Sequence, residues 1–209
     1  MIRNRIRLRF SKLGDLRFIG HRDLVRTLTR LFRRAGFELS LTEGFHPKPR
    51  IHFPAALAVG VAATTEVVEL ELAEEMTAEQ ALTAVRGLGP EGLEFLSAEA
   101  RPAGSAKAEL TRARYQVDVP KTRRDGLAER IAWYLRQTTF PIWREGRRKP
   151  TDIRPLFEQL VLDDGQLTMI LQATRQGSAR PREVLDALQL DGLEREGCVM
   201  TRTEVTLRS

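Results

Sequence analysis

Residues 2–36 read IRNRIRLRFSKLGDLRFIGHRDLVRTLTRLFRRAG. The hydrophobic period changes partway along this stretch. Ile2, Ile6, Leu8 and Phe10 alternate with Arg3, Arg5, Arg7 and Arg9. A period of two makes a strand with one apolar face and one arginine face. From Leu24 onward the apolar positions are Leu24, Val25, Leu28, Leu31, Phe32 and Ala35, which is helical spacing. Gly36 fits a helix stop. The chain therefore opens β-α.

Residues 37–42 and 51–59 both suit extended structure. Val67 to Leu72 reads as a strand, Thr77 as the N-cap of a helix over 78–86, and Leu93 to Ala100 as a further strand. The order is β-α-β-β-α-β. Residues 101–110, RPAGSAKAEL, lack apolar periodicity and have a linker composition. The same order then restarts. Residues 112–119 alternate like a strand, and 122–137 carry a helical pattern. Segments 151–162 and 167–174 flank a hairpin turn at Asp163-Asp164-Gly165. Pro181 sits at the first position of a helix over 182–189, and Val199 to Leu207 closes the pattern. The expected fold is α+β. It consists of two ferredoxin-like β-α-β-β-α-β halves, 1–100 and 111–209, related by internal duplication and joined by the 101–110 linker. Each half would be an antiparallel sheet with helices on one face. One continuous antiparallel sheet is the alternative.

Charge follows the same division. Residues 1–50 hold 13 basic and 4 acidic side chains, and residues 51–100 hold 1 and 9. Residues 101–150 hold 13 and 5, and residues 151–209 hold 7 and 10. Codon bias explains Arg over Lys but not this alternation. Two separated basic regions point to a polyanion, most often nucleic acid. No run of about 18 apolar residues is present, so no membrane span is expected. The charged N-terminus does not resemble the apolar segment of a signal peptide. Cys198 is the single cysteine, which rules out an intrachain disulfide and any CxxC site. The expected location is cytoplasmic.

The expected nucleic-acid contacts are Arg3, Arg5, Arg7 and Arg9 on the open sheet face, and Arg22, Arg26 and Arg33 on the first helix, whose polar face also carries Arg30 and Arg34. Arginine suits bidentate phosphate contact and stacking. The stretch Gly44 to Arg50, GFHPKPR, is an arch stiffened by two prolines that presents Lys48 and Arg50, with Phe45 available to stack on a base. A second basic loop, WREGRRKP, pairs Trp143 with Arg144, Arg147, Arg148 and Lys149. All three histidines, His21, His46 and His52, lie between Arg17 and Phe53. His21, Asp23 and His46 are the candidate catalytic groups, by acid–base chemistry. The histidines lack HxxxH or HxH spacing, so no metal site and no cofactor is expected. No P-loop or dinucleotide fingerprint occurs.

The segments SKLGDLRFIGHRDL (11–24), RRAG (33–36), EGFHPKPRI (43–51), DIRP (152–155) and RPREVL (180–185) resemble the radical-SAM-associated bacterial domains of unknown function. Arg22 stands where that pattern has Leu, at an exposed helix start. The resemblance implies a radical SAM protein as partner, and it carries over no catalytic residue. A single cysteine cannot supply the CxxxCxxC cluster motif itself. The expected function is an RNA-binding accessory domain that presents tRNA or rRNA to a radical SAM modification enzyme. The alternatives are an RNA-processing or RNA-modifying enzyme using His21, His46 and Asp23, and a protein-interaction module using the acidic stretch Glu66–Glu79.

Overall fold

Asn4 is the first residue that the computed structural model describes, and the description covers 4–174 and 177–208. The fold is α+β, with four α-helices among the described residues. Met1–Leu110 together with Leu207–Ser209 make one unit, and Thr111–Thr206 make a second.

The first unit runs β1 (Asn4–Lys12), α1 (His21–Arg34), β2 (Ile51–His52), β3 (Ala62–Leu72), α2 (Ala78–Val85) and β4 (Phe95–Pro102). This is the order expected from periodicity. Its sheet has the lateral order β2-β3-β1-β4, with every pairing antiparallel. Ile6, Leu8 and Phe10 of β1 enter one core with Leu24, Leu28, Leu31 and Phe32 of α1 and Val68, Leu70 and Leu72 of β3. Of the six positions the helical pattern marks, Leu24, Leu28, Leu31 and Phe32 are buried, and Val25 and Ala35 lie half-buried at its margin. Past α1 the chain turns through Gly36, at φ 84°, and Phe37 N–H donates to the Phe32 carbonyl at 3.0 Å. Such a left-handed residue closes a helix with least strain when it is glycine. Thr77 caps α2 reciprocally with Gln80.

Three expectations change here. Of the run 51–59 only Ile51 and His52 join the sheet, because Pro54 has no N–H to continue a ladder. Of 37–42 only Leu39 and Leu41 form isolated bridges. The 101–110 linker shortens to 103–108, since β4 reaches Pro102 and the next strand begins at Glu109.

The second unit runs β5 (Glu109–Asp118), α3 (Leu127–Arg136), β6 (Pro141–Ile142), β7 (Thr151–Asp152), β8 (Phe157–Asp163), β9 (Gln166–Thr174), β10 (Gly177–Ser178), α4 (Pro181–Ala187) and β11 (Thr201–Arg208). The lateral order is β8-β9-β5-β11. Asp164 and Gly165 join β8 to β9 at φ 42° and 83°, as a tight hairpin turn requires. A Cβ at Gly165 would also collide with the Arg124 guanidinium. The strands β6 and β10 were not expected from the sequence, and the extended segment expected at 151–162 is broken into β7 and β8 by a 3-10 turn at Arg154–Leu156. Among the described residues no helix is long and apolar enough to cross a membrane.

Candidate nucleic-acid interface

The β1 arginines do not form an open stripe. Arg5 and Arg7 point away from the helices, as their parity dictates, yet they are only 5% and 7% exposed. The antiparallel register sets Arg5 opposite Glu71 and Arg7 opposite Glu69. Arg5 Nη2 donates to Glu71 Oε1 at 2.8 Å. Arg7 donates through Nε and Nη2 to Glu69 Oε1, at 3.0 and 2.8 Å, and through Nη1 to Glu99 Oε2 at 3.2 Å. The basic quarter therefore neutralises part of the acidic quarter inside one sheet. This corrects the surface role expected of Arg5 and Arg7. It also leaves Glu66, Glu69 and Glu71 buried, which removes them from the exposed acidic stretch. Arg9 faces Val67 and Ser97, half-buried, with no ion-pair partner among the described residues. Arg3 lies outside the described residues.

Residues 105–108 form a strap over this layer. Arg5 Nη1 donates to the Ser105 carbonyl at 2.6 Å, and Ala108 N–H donates to Glu69 Oε2 at 3.0 Å. His52 Nε2 meets the Ala108 carbonyl at 2.8 Å, which requires the proton on Nε2.

The three histidines serve three different places. His52 holds the strap. His21 is the first residue of α1, and its ring packs edge-on against Phe53 with centroids 5.0 Å apart. His46 is exposed on the arch. Asp23 pairs with Arg26 at 3.3 Å on the surface. His21 and Asp23 open α1, whereas the arch that carries His46 leaves the sheet beside Glu71, near the end of β3. Among the described residues no three His, Cys, Asp or Glu side chains come together as metal ligands would.

The outer face of α1 is the exposed basic surface of this unit. Arg22, Arg26, Arg30 and Arg33 are all exposed at spacings of four, four and three, which aligns them opposite Leu24, Leu28 and Leu31. Among the described residues, Arg26 is the one member of this row with an ion-pair partner, Asp23. Arg34 is diverted to the Leu88 carbonyl at 2.5 Å.

The arch is a closed hairpin loop. Thr42 N–H donates to the Lys48 carbonyl at 2.8 Å, Lys48 N–H to Thr42 Oγ1 at 3.0 Å, and Arg50 N–H to the Ser40 carbonyl at 2.8 Å. Phe45 at its tip is fully exposed, and Lys48 points to water. Arg50 is partly committed, donating from Nε to the Leu41 carbonyl and lying 3.8 Å from Glu71.

In the second unit the basic loop spans the tip of the β6–β7 hairpin. Arg144 does not face solvent. It donates from Nε and Nη2 to the two Glu183 oxygens at 2.6 and 2.7 Å, and to the Ser178 carbonyl at 2.6 Å. Its expected role as a ligand contact is corrected to that of an anchor. Arg147, Arg148 and Lys149 are exposed, with no side-chain partner among the described residues. Trp143 is 71% exposed. The sequence reading missed Trp133, half-exposed and edge-on to Tyr134, which in turn stands edge-on to Phe140. Trp133 lies off the buried Leu127–Ile131 side of α3, and that displacement is the signal that marks it.

A family model described as an uncharacterized protein conserved in bacteria (DUF2344) matches residues 5–181, reaching from β1 to the start of α4. No curated protein matches the chain.

Proposed function

The chain belongs to the DUF2344 family of uncharacterized proteins conserved in bacteria, and from that premise we propose that it is an RNA-binding accessory domain. It presents tRNA or rRNA to a radical SAM modification enzyme. The observation that carries this is the exposed Arg22-Arg26-Arg30-Arg33 row on α1. Successive positions lie about one helical turn apart, roughly 4.5–6 Å along the axis. A line of guanidiniums, of which Arg22, Arg30 and Arg33 have no ion-pair partner among the described residues, suits the charges of a nucleic-acid backbone. The lateral orders β2-β3-β1-β4 and β8-β9-β5-β11 support reading the two units as duplicated ferredoxin-like halves. The radical SAM partner rests on the resemblance of residues 11–24, 33–36 and 43–51, and on the lack of cluster cysteines in this chain.

The test is salt-dependent binding of a labelled tRNA to the wild type and to the Arg22→Glu/Arg26→Glu/Arg30→Glu variant. Each lost phosphate contact should flatten the log–log salt slope by about 0.7–0.9. Affinity indifferent to both salt and charge reversal would overturn the proposal.

A further inference from the structure

We infer that the β6–β7 hairpin of the second unit is a binding site for unpaired nucleotides. Trp143 is its stacking platform, and Arg147, Arg148 and Lys149 hold the flanking phosphates. This rests on the RNA-binding reading and adds to it a second site with a different preference.

The base of the hairpin is fixed. Asp152 Oδ1 accepts from Phe140 N–H at 2.7 Å and from Arg154 N–H at 3.0 Å, and Ile153 N–H donates to the Phe140 carbonyl at 2.9 Å. Arg144, next to Trp143, is clamped by Glu183 with both side chains about one-eighth exposed. Trp143 therefore stands beside an immobilised residue, and its indole still faces water. Burying that ring would release a large apolar area, so its exposure favours a partner with a flat face. The neighbouring charges select the partner. Arg144 and Glu183 neutralise each other, and Arg147, Arg148 and Lys149, without ion-pair partners among the described residues, outweigh Glu145 and leave the tip positive. An aromatic ring beside unneutralised Arg and Lys matches a base and its phosphates, and a base offers its face only when it is unpaired.

The chain has two tryptophans, so Trp133→Phe with excitation selective for tryptophan over the two tyrosines isolates the emission of Trp143. That variant is titrated at low salt with a decauridylate, with a blunt RNA duplex of equal charge, and with polyglutamate of equal charge. Trp143 emission is read together with anisotropy of labelled RNA. Decauridylate should quench Trp143, while the duplex and polyglutamate should not. Trp143→Ala should weaken decauridylate binding by about 5- to 100-fold and leave duplex binding unchanged. Trp143→Phe should restore most of that loss, which a folding defect would not do. Decauridylate binding with silent Trp143 emission and an unaffected Trp143→Ala variant overturns this site and leaves the α1 surface standing. Equal quenching by polyglutamate overturns base stacking. Absence of binding to either RNA overturns both.

Discussion

Arg7 places two of its nitrogens, Nε and Nη2, on a single carboxylate oxygen of Glu69, and both side chains are buried. Removing one partner strips the other of its closest counter-charge inside the layer, leaving the longer contacts of Arg7 with Glu99 or of Glu69 with Arg5. Arg7→Ala or Glu69→Ala should therefore cost about 3–5 kcal/mol. The Arg7→Met/Glu69→Leu pair should cost far less than the sum of the two. A double-mutant cycle by urea unfolding checks this, and additive losses would contradict it.

Arg144 grips Glu183 with a fork that lysine cannot reproduce. Arg144→Lys should lower stability by about 1–2 kcal/mol, from the loss of charge-assisted bonds. It should also speed proteolysis in the 143–150 loop. Limited trypsinolysis followed by mass spectrometry measures the second effect, and an unchanged cleavage rate would refute the anchor role.

Cys198 should be a slow nucleophile. Burial, and then the carboxylates of Glu196 and Asp118, push its thiol up, and Arg123 opposes them only weakly. The thiol keeps its proton at neutral pH, and reactivity follows the thiolate. Alkylation by iodoacetamide should trail that of a free cysteine and rise only in alkaline solution. Glu196→Gln should shift the pH profile toward acid.

The Asp186 carboxyl is raised, by burial first and by Asp191 and Glu183 next. The folded chain thus holds this proton more tightly than the unfolded chain. That contribution is complete below the ordinary carboxylate range and is lost as pH rises through the raised value. Its position in the last turn of α4 adds to the cost of the charge. Asp186→Asn should raise the melting temperature slightly at neutral pH, with the gain vanishing near about pH 3. A gain that is the same at both pH values would sink this assignment.

Local chemistry made much of the fold legible. Asp164-Gly165 gave a turn, Thr77 and Pro181 gave helix starts, and Ile6, Leu8 and Phe10 marked the face of β1 that meets the core. The fate of the other face was not legible. Parity says where Arg5 and Arg7 point, but not what covers them. The cover uses the Ser105 carbonyl and the Ala108 N–H, groups that any sequence possesses. Register was hidden too, because the pairing of Arg7 with Glu69 spans 62 positions. Exposure was legible in parts. The α1 row, Phe45, Lys48 and the 147–149 cations point outward as read, whereas Arg5, Arg7, Arg50 and Arg144 are wholly or partly taken up by carboxylates.

The strap also decides where the molecule can be cut. Composition draws the first half's border after residue 100, in a stretch that looks dispensable. Chemistry draws it after Ala108. A fragment ending at 100 would lose Ser105 from Arg5, the Ala108 amide from Glu69 and the Ala108 carbonyl from His52. Two buried charged groups and a half-buried imidazole would then lose their partners at once. An excised first half should hold together only if it carries 101–110 with it. What looks like a tether between two modules is, in its bonding, the lid on one of them.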